Sequence, residues 1–190
     1  MGETTVPPTA GLPLTWRDLL PWGAGDFSQQ LSAWLGVPQV QLECSGTSAL
    51  MVALRALRTL KPGRSEVIAP AYTCPLVALA IAQCGLQLRL CDLRADALDM
   101  DPVRLQQLCN DKTLAVLPTH LCGRVADVDA ALQCAHAVGA YVLEDAAQAL
   151  GARSDGVTVG IKGDVGFFSL AVGKGLSTFE GGVLVAREHE

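Results

Sequence analysis

The sequence predicts an α/β fold in which helices cover both faces of a mainly parallel β-sheet. From residue 40 onward, short apolar segments alternate with segments in which apolar residues recur at helical spacing. The apolar segments are nearly continuous, which is typical of strands that a parallel sheet buries on both faces. Half of the 190 residues are hydrophobic and 17% are charged, so the chain can fill a sizeable core.

The chain divides into a lead segment and a regular region. Residues 1–25 are rich in Pro, Gly and Trp and show no clear period, so we interpret them as an N-terminal arm. Residues 26–190 form the predicted domain. Its first element is a short helix over residues 26–35, with Asp26 as the N-cap.

Strands and helices alternate through the rest of the domain. Gly85 and Gly139 follow predicted helices, and Pro102 suits the first position of another. No helix separates the last two strands, so we expect one of them to be antiparallel. Helices are predicted at 48–60, 75–83, 102–109 and 128–138. Strands are predicted at 40–44, 66–70, 86–92, 114–118, 140–145, 165–170 and 181–186.

Composition narrows the class of protein. The formal charge is −5 and no basic run is visible, so nucleic acid is not an expected partner. The uncharged stretch 67–88 contains Pro70 and Pro75, so it predicts a strand, a loop and a helix and not a membrane span. No signal peptide pattern is present at the N-terminus. The seven cysteines contain no C-x-x-C pair, so we expect no metal site and mostly buried, reduced thiols in a cytoplasmic protein.

Four segments that follow predicted strands carry candidate ligand-binding residues, because open α/β sheets bind ligands beyond the carboxyl ends of their strands. Gly46, Thr47 and Ser48 start a helix, where free N–H groups and the helix dipole favour a phosphate. An ordinary Ser/Thr cap is the alternative. Glu144 and Asp145 could bind a metal ion, a ribose or a cationic ring nitrogen, or Asp145 could cap a helix.

The remaining two segments contain Lys174 and His120. A lone lysine is usually a solvated surface residue, but Lys174 follows an apolar strand and could form a Schiff base with an aldehyde cofactor. His120 fits acid–base chemistry or packing against a ring, and equally a structural histidine with satisfied hydrogen bonds. The sequence contains no dinucleotide fingerprint, P-loop, zinc-protease motif or nucleophile elbow.

Five stretches, in this order, resemble the DegT/StrS family of sugar aminotransferases, which use pyridoxal 5′-phosphate. The resemblance covers about residues 26–190 and implies the large domain of a fold type I enzyme, with a sheet of the seven-stranded type. Family members are about twice as long, so the resemblance also implies that this domain is incomplete and that a C-terminal small domain is absent. The matching stretches are 44–57, 67–81, 118–130, 143–152 and 163–182.

The resemblance implies a role for each candidate residue. Lys174 would bind the cofactor covalently, Asp145 would pair with its pyridine nitrogen, and Gln148 would lie near its phenolic oxygen. An aromatic side chain commonly stacks on the ring at the position of Cys74, and Tyr72 is a candidate substitute. The phosphate would be held by Gly46, Thr47, Ser48 and Ser169.

The implied activity is transfer of an amino group, with glutamate as the usual donor, to a keto group of a nucleotide-linked sugar or a similar carbonyl. A related dehydratase or lyase is the alternative, although relatives that dehydrate often carry histidine at the position of Lys174. An inactive, truncated remnant is a further alternative. The resemblance also implies a homodimer of the full-length protein, acting in nucleotide-sugar biosynthesis.

Overall fold

The computed structural model describes residues 15–16, 20 and 25–187. The predicted N-terminal arm therefore lies mostly outside the described residues. Within the described part, nine strands and five helices follow one another largely as the sequence predicts. The helices are α1 (Phe27–Leu35), α2 (Gly46–Leu60), α3 (Pro75–Gln83), α4 (Pro102–Leu108) and α5 (Val128–Ala137). The strands are β1 (Gln41–Glu43), β2 (Glu66–Pro70), β3 (Gln87–Cys91), β4 (Thr113–Val116), β5 (Tyr141–Asp145), β6 (Arg153–Ser154), β7 (Val157–Thr158), β8 (Val165–Ser169) and β9 (Gly182–Ala186).

Seven strands form one sheet in the order β1-β9-β8-β5-β4-β2-β3. The five strands from β8 to β3 are parallel, so their carboxyl ends meet along one edge of the sheet. β9 runs antiparallel to β8, which confirms the expectation for the last two strands, and β1 is also antiparallel to β9. The predicted mainly parallel sheet is confirmed.

Helices cover both faces of this sheet because successive residues of each buried strand point to opposite sides. Val67 and Ala69 pack with α2 and α3, whereas Ile68 between them packs with α4 and α5. Helix α1 covers the end of the sheet near β8 and β9 on the same face as α4 and α5. In the described part of the chain, no helix is long and apolar enough to span a membrane.

Local signals set the helix ends. The carboxylate of Asp26 accepts hydrogen bonds from the N–H groups of Ser28 and Gln29, which confirms its role as the N-cap of α1. Asp101 caps α4 in the same way, directly before Pro102. Helix α2 begins at Gly46, two residues earlier than predicted.

Three features differ from the expectations. Strand β3 is not buried on both faces as a strand inside a parallel sheet would be, because it is an edge strand and leaves Leu90 54% exposed. The two-residue strands β6 and β7 form a small hairpin that the sequence did not reveal. The cysteines are free thiols, but the expectation that most are buried was wrong, because only Cys84 and Cys91 of the seven are buried. Cys109 and Cys134 are partly buried, and Cys44, Cys74 and Cys122 are exposed in loops that follow strands.

Candidate active site

A cleft of about 460 Å³ lies at the carboxyl ends of the parallel strands. The start of α2, the loops after β2 and β4, the end of β5 and the segment after β8 form its walls. Most of the residues singled out in the sequence line this cleft. They are Gly46, Thr47, Cys74, His120, Asp145, Gln148, Ser169 and Lys174.

Gly46 packs directly against Ser169 where α2 begins. A Cβ atom at position 46 would lie 2.9 Å from the Cβ of Ser169, so only glycine fits without displacement. Ser45 is the N-cap, and its hydroxyl accepts the N–H of Ser48 at 3.0 Å. The N–H groups of Gly46 and Thr47 have no partner among the described residues, as is normal for the first turn of a helix. These donors and the nearby Ser169 hydroxyl form an anion cradle.

Asp145 ends β5 on the floor of the cleft and is only 4% exposed. Its Oδ1 accepts the N–H of Ala147 at 3.0 Å, and no other described residue hydrogen-bonds to the side-chain carboxylate. Burial raises the pKa of Asp145 to about 6, although the Ala147 N–H, His120 and Lys174 act in the opposite direction. A cationic group bound beside this carboxylate would therefore hold it in its charged form.

Lys174 lies in the turn after β8 and is partly buried. Its backbone N–H donates to the carbonyl of Ala171 at 3.1 Å, and Gly173 before it has a φ of 84° that favours glycine. The Lys174 amine makes no hydrogen bond or ion pair with any residue that the structure describes. It is therefore available to an occupant of the cleft, and its charge reaches Asp145.

His120 is 2% exposed, and protein groups occupy both of its ring nitrogens. Nδ1 accepts the N–H of Ala126 at 2.9 Å, so the ring proton lies on Nε2, which is 2.9 Å from Oε1 of Glu144. This geometry favours the structural interpretation of His120 over acid–base chemistry. The ring also lines the cleft and therefore forms part of its wall.

Glu144 is a buried structural carboxylate. Besides the bond from His120, it accepts the N–H groups of Gly160 at 2.6 Å, Lys162 at 2.9 Å and Gly163 at 2.8 Å. Burial alone would raise the pKa of Glu144, but the bonds from His120, Gly163 and Gly160 outweigh it and hold the pKa below its usual value. The two adjacent carboxylates thus have different tasks, and only Asp145 lines the cleft.

Two candidates, Tyr72 and Ser48, lie outside the cleft lining. Tyr72 is 61% exposed, whereas Cys74 lines the cleft. The hydroxyl of Ser48 donates to Oε2 of Glu43 at 2.8 Å, and its N–H is already bound by Ser45. Gly46 and Thr47 are therefore better placed than Ser48 for an anion in the cleft.

The chemistry of these groups fits pyridoxal phosphate. The cradle of N–H groups and the Ser169 hydroxyl suits a phosphate, and a buried carboxylate such as Asp145 suits a protonated ring nitrogen. The free amine of Lys174 suits an aldehyde. Within the described residues, no group of three or more His, Cys, Asp or Glu side chains is arranged to hold a metal ion.

Comparison with known proteins assigns the family. The model of the DegT/DnrJ/EryC1/StrS aminotransferase family matches residues 23–190. The chain belongs to this family. The sequence resemblance is thereby confirmed, and the match extends over the whole of the described sheet.

Several named proteins are similar to this chain in sequence and in structure. GDP-perosamine synthase of Caulobacter vibrioides is 33% identical over 165 residues, which are 87% of this chain and 44% of that protein. Spr1654 of Streptococcus pneumoniae, which carries the name of a sugar aminotransferase, superposes in its PLP form with a TM-score of 0.78 at 28% identity, covering 85% of this chain and 45% of that one. A GDP-4-keto-6-deoxymannose-3-dehydratase, ColD, superposes with a TM-score of 0.76 at 26% identity, over 84% and 42% of the two chains.

The chain spans less than half the length of these family members. Their fold type I architecture confirms the predicted fold class of the part that is present.

Sequence reasoning missed some residues of this cleft. Thr119, Leu76 and Glu180 also line the cleft. Glu180 directly precedes the Gly181-Gly182 pair. The position of this glycine pair shortly after Lys174 was the one sequence signal that could have pointed to Glu180. The structural role of Glu144 had no signal, because its partners lie in a loop more than fifteen residues further along the chain.

Proposed function

We propose that this chain is the cofactor-binding part of a pyridoxal-phosphate-dependent aminotransferase. Its amino donor is glutamate, and its acceptor is a keto group of a nucleotide-linked sugar or a similar carbonyl. One observation carries the proposal: a single cleft brings together an anion cradle, a buried carboxylate and an amine that no described residue binds.

Each group has a defined task in the proposed site. Gly46, Thr47 and Ser169 bind the phosphate and so fix the position of the cofactor. Asp145 keeps a proton on the ring nitrogen, because its buried carboxylate favours a cation beside it. When bound, the cofactor supplies an electron sink for the bonds of the substrate carbon.

Lys174 is the proposed proton carrier. Its amine would hold the cofactor and, when the amine of the donor takes that place, would be free to accept the proton from the donor carbon. The same Nζ atom would carry that proton within the cleft. Gln148 lies on the cleft wall, where its side-chain amide can contact the phenolic oxygen of the cofactor. Cys74 lines the wall at the position where the family commonly places an aromatic side chain.

The names of the relatives support a sugar acceptor. GDP-perosamine synthase and the dehydratase ColD both carry a GDP-linked sugar in their names. We place the proposed enzyme in the cytoplasm, in a pathway of nucleotide-sugar biosynthesis.

The full-length protein is proposed to be a homodimer. Apolar side chains are exposed on segments that border the cleft, which supports their being covered by a second copy. These are Tyr72 at 61%, Leu76 at 51%, Val172 at 67% and Phe179 at 54% exposure.

A single-turnover assay tests the proposed activity. Protein loaded with pyridoxal phosphate is mixed with glutamate in the absence of an acceptor, and 2-oxoglutarate is measured. We expect stoichiometric 2-oxoglutarate from the wild type and from the K112A variant, whose exposed lysine lies far from the cleft at the start of β4. We expect none from K174A. Equal product from K174A and the wild type would contradict the proposal.

Dehydration is the second candidate because ColD is among the structural relatives. Lys174 favours transfer, since its amine is free to carry the proton. A keto-sugar screen separates the two activities: transfer consumes glutamate with incorporation of nitrogen into the sugar, whereas dehydration leaves the sugar without nitrogen. A chain that neither consumes glutamate nor dehydrates the keto-sugar would be the inactive remnant.

A further inference from the structure

A second cavity of about 240 Å³ adjoins the cleft. His120 and Gln148 line both spaces, so the second cavity lies directly beyond the wall on which the cofactor is proposed to rest. Its volume is below the roughly 300–1,000 Å³ of a complete ligand pocket, so it suits one end of a substrate. Its other lining residues are Gly123, Arg124, Val125, Ala149, Leu150 and Ala152.

Arg124 is the charged residue of this cavity. Its guanidinium has no hydrogen bond or ion pair with any residue in the described ranges. Among the described residues no acidic side chain lines the cavity, and Arg124 lies at its exposed rim. An unpaired arginine beside a largely apolar space is suited to an organic anion, whose charged group can bind the guanidinium while its hydrocarbon part contacts the apolar wall.

A tight turn fixes the position of Arg124. Its backbone N–H donates to the carbonyl of Leu121 at 2.8 Å, and Cys122 and Gly123 between them have φ values of 53° and 75°. Two successive positive φ angles define a turn of the I′ kind, and a non-glycine residue such as Cys122 adopts this conformation at a cost. Such strain persists where the surroundings determine the backbone, and it is concentrated at functional sites.

Gln148 supplies a second donor. Its Oε1 accepts a long hydrogen bond from the N–H of Cys122 at 3.5 Å, so the turn and the glutamine are linked. The amide NH₂ of Gln148 has no acceptor among the residues that the structure describes. The cavity therefore offers a guanidinium and an amide as donors, next to the reacting groups of the cleft.

We propose that Arg124 determines specificity for the amino donor by binding one of its carboxylates in this second cavity. The proposal rests on the proposed aminotransferase function, because only that function supplies an amino donor. A carboxylate matches the planar fork of arginine, and an amino acid places a carboxylate close to its reacting carbon. The acceptor's phosphates are the other anion in the reaction, and the cavity is too small for a nucleoside diphosphate.

Binding of glutarate tests the proposal without catalysis, because this dicarboxylate has no amine and cannot react. Glutarate is titrated into the protein loaded with pyridoxal phosphate, and backbone amide shifts are followed by NMR. We expect a dissociation constant at least about tenfold higher in R124M than in the wild type, and a smaller increase in R124K. The R187M variant is the matched control, because Arg187 is exposed at the opposite edge of the sheet. Its affinity should equal that of the wild type.

Uptake of pyridoxal phosphate, measured by absorbance, separates the two proposals. All three variants should take up the cofactor as the wild type does. If no protein takes it up, the proposed function fails, and the glutarate titration is then judged on the unloaded protein. Wild-type glutarate affinity in R124M would overturn the carboxylate site. So would a loss of UDP binding in R124M with glutarate binding intact, because the cavity would then serve the acceptor's phosphates.

Discussion

His120 and Glu144 form a hydrogen bond of 2.9 Å with side chains that are each only 1% exposed. The pair joins the segment after β4 to the end of β5, and Glu144 extends the network to the loop that precedes β8. Because Nδ1 of His120 accepts the Ala126 N–H, the ring proton lies on Nε2 and points to the Glu144 carboxylate. This network links the segment after β4 and the loop before β8 to the end of β5, next to the cleft.

Replacing Glu144 by glutamine should destabilise the chain strongly. The NH₂ group of the glutamine would replace one carboxylate oxygen and would face backbone N–H groups that now donate to that oxygen. These buried N–H groups would lose their acceptor. We expect the free energy of unfolding to fall by about 2–4 kcal/mol. Urea denaturation measures it, with D129N as the control, because Asp129 forms an exposed ion pair with Lys162 that should contribute less than about 1 kcal/mol.

The pH dependence gives a second check on Glu144. The pKa of Glu144 in the folded chain lies below its usual value. The charged carboxylate therefore contributes its full stabilisation above the usual pKa, and this stabilisation is lost as the pH falls through the folded pKa. The difference between the wild type and E144Q should therefore shrink below about pH 4. A difference that grew on acidification would contradict the assignment.

Asp145 should make the opposite contribution when no ligand is bound. Its pKa is about 6 in the folded chain against a usual 3.8, so the folded state holds a proton that the unfolded state has lost between these values. Stability therefore falls as the pH rises from about 4 to 6. D145N keeps an acceptor for Ala147 and removes the buried charge, so it should be more stable than the wild type at pH 7 by up to about 3 kcal/mol.

Thermal unfolding at pH 4 and pH 7.5 measures this difference. The advantage of D145N should be present at pH 7.5 and nearly absent at pH 4. The same substitution should weaken cofactor binding, because the ring nitrogen loses its counter-charge. A variant that is less stable than the wild type at pH 7.5 would show that Asp145 is not desolvated as described.

Gly46→Ala should impair cofactor binding. The added methyl group would collide with Ser169 and displace the anion cradle, so we expect the dissociation constant of pyridoxal phosphate to rise at least about tenfold. The control is G63A, since a Cβ at Gly63 would meet no atom within 4 Å. Absorbance titration compares the two, and equal affinities would contradict the close approach of α2 to β8.

Ser48 and Ser169 should respond differently to alanine substitution. The Ser48 hydroxyl is committed to Glu43, so S48A should leave the affinity for pyridoxal phosphate within about twofold. S169A removes a hydroxyl from the cradle and should weaken binding by about 1 kcal/mol or more. The reverse order in the same titration would place the phosphate on the other side of the α2 start.

Much of the fold could be predicted because local signals decide it. Asp26 and Asp101 cap their helices, and apolar runs such as residues 66–70 form fully buried strands. The hairpin of β6 and β7 could not be predicted, because two-residue strands have no periodicity to detect. The edge position of β3 depends on the order of the strands in the sheet, and the pattern of apolar residues does not predict that order.

The site was predicted less completely. The residue types alone left Glu144 and Asp145 equivalent, and only the family resemblance singled out Asp145. Adjacent residues of a strand face opposite sides, which explains why Asp145 lines the cleft and Glu144 does not. Arg124 lies within the matching stretch 118–130, but neither its residue type nor its spacing assigned it a role. Only the turn that holds it and the cavity beside it indicate one. Ser48 lies beside Gly46 and Thr47 in sequence, yet its hydroxyl points to Glu43.

Trapping of the cofactor on Lys174 tests the central claim most directly. The protein is incubated with pyridoxal phosphate, reduced with borohydride, digested and mapped by mass spectrometry, beside a K174A variant. The account predicts that the reduced cofactor is attached to Lys174 in the wild type and to no lysine in K174A. Attachment to another lysine, or to none in the wild type, would contradict it.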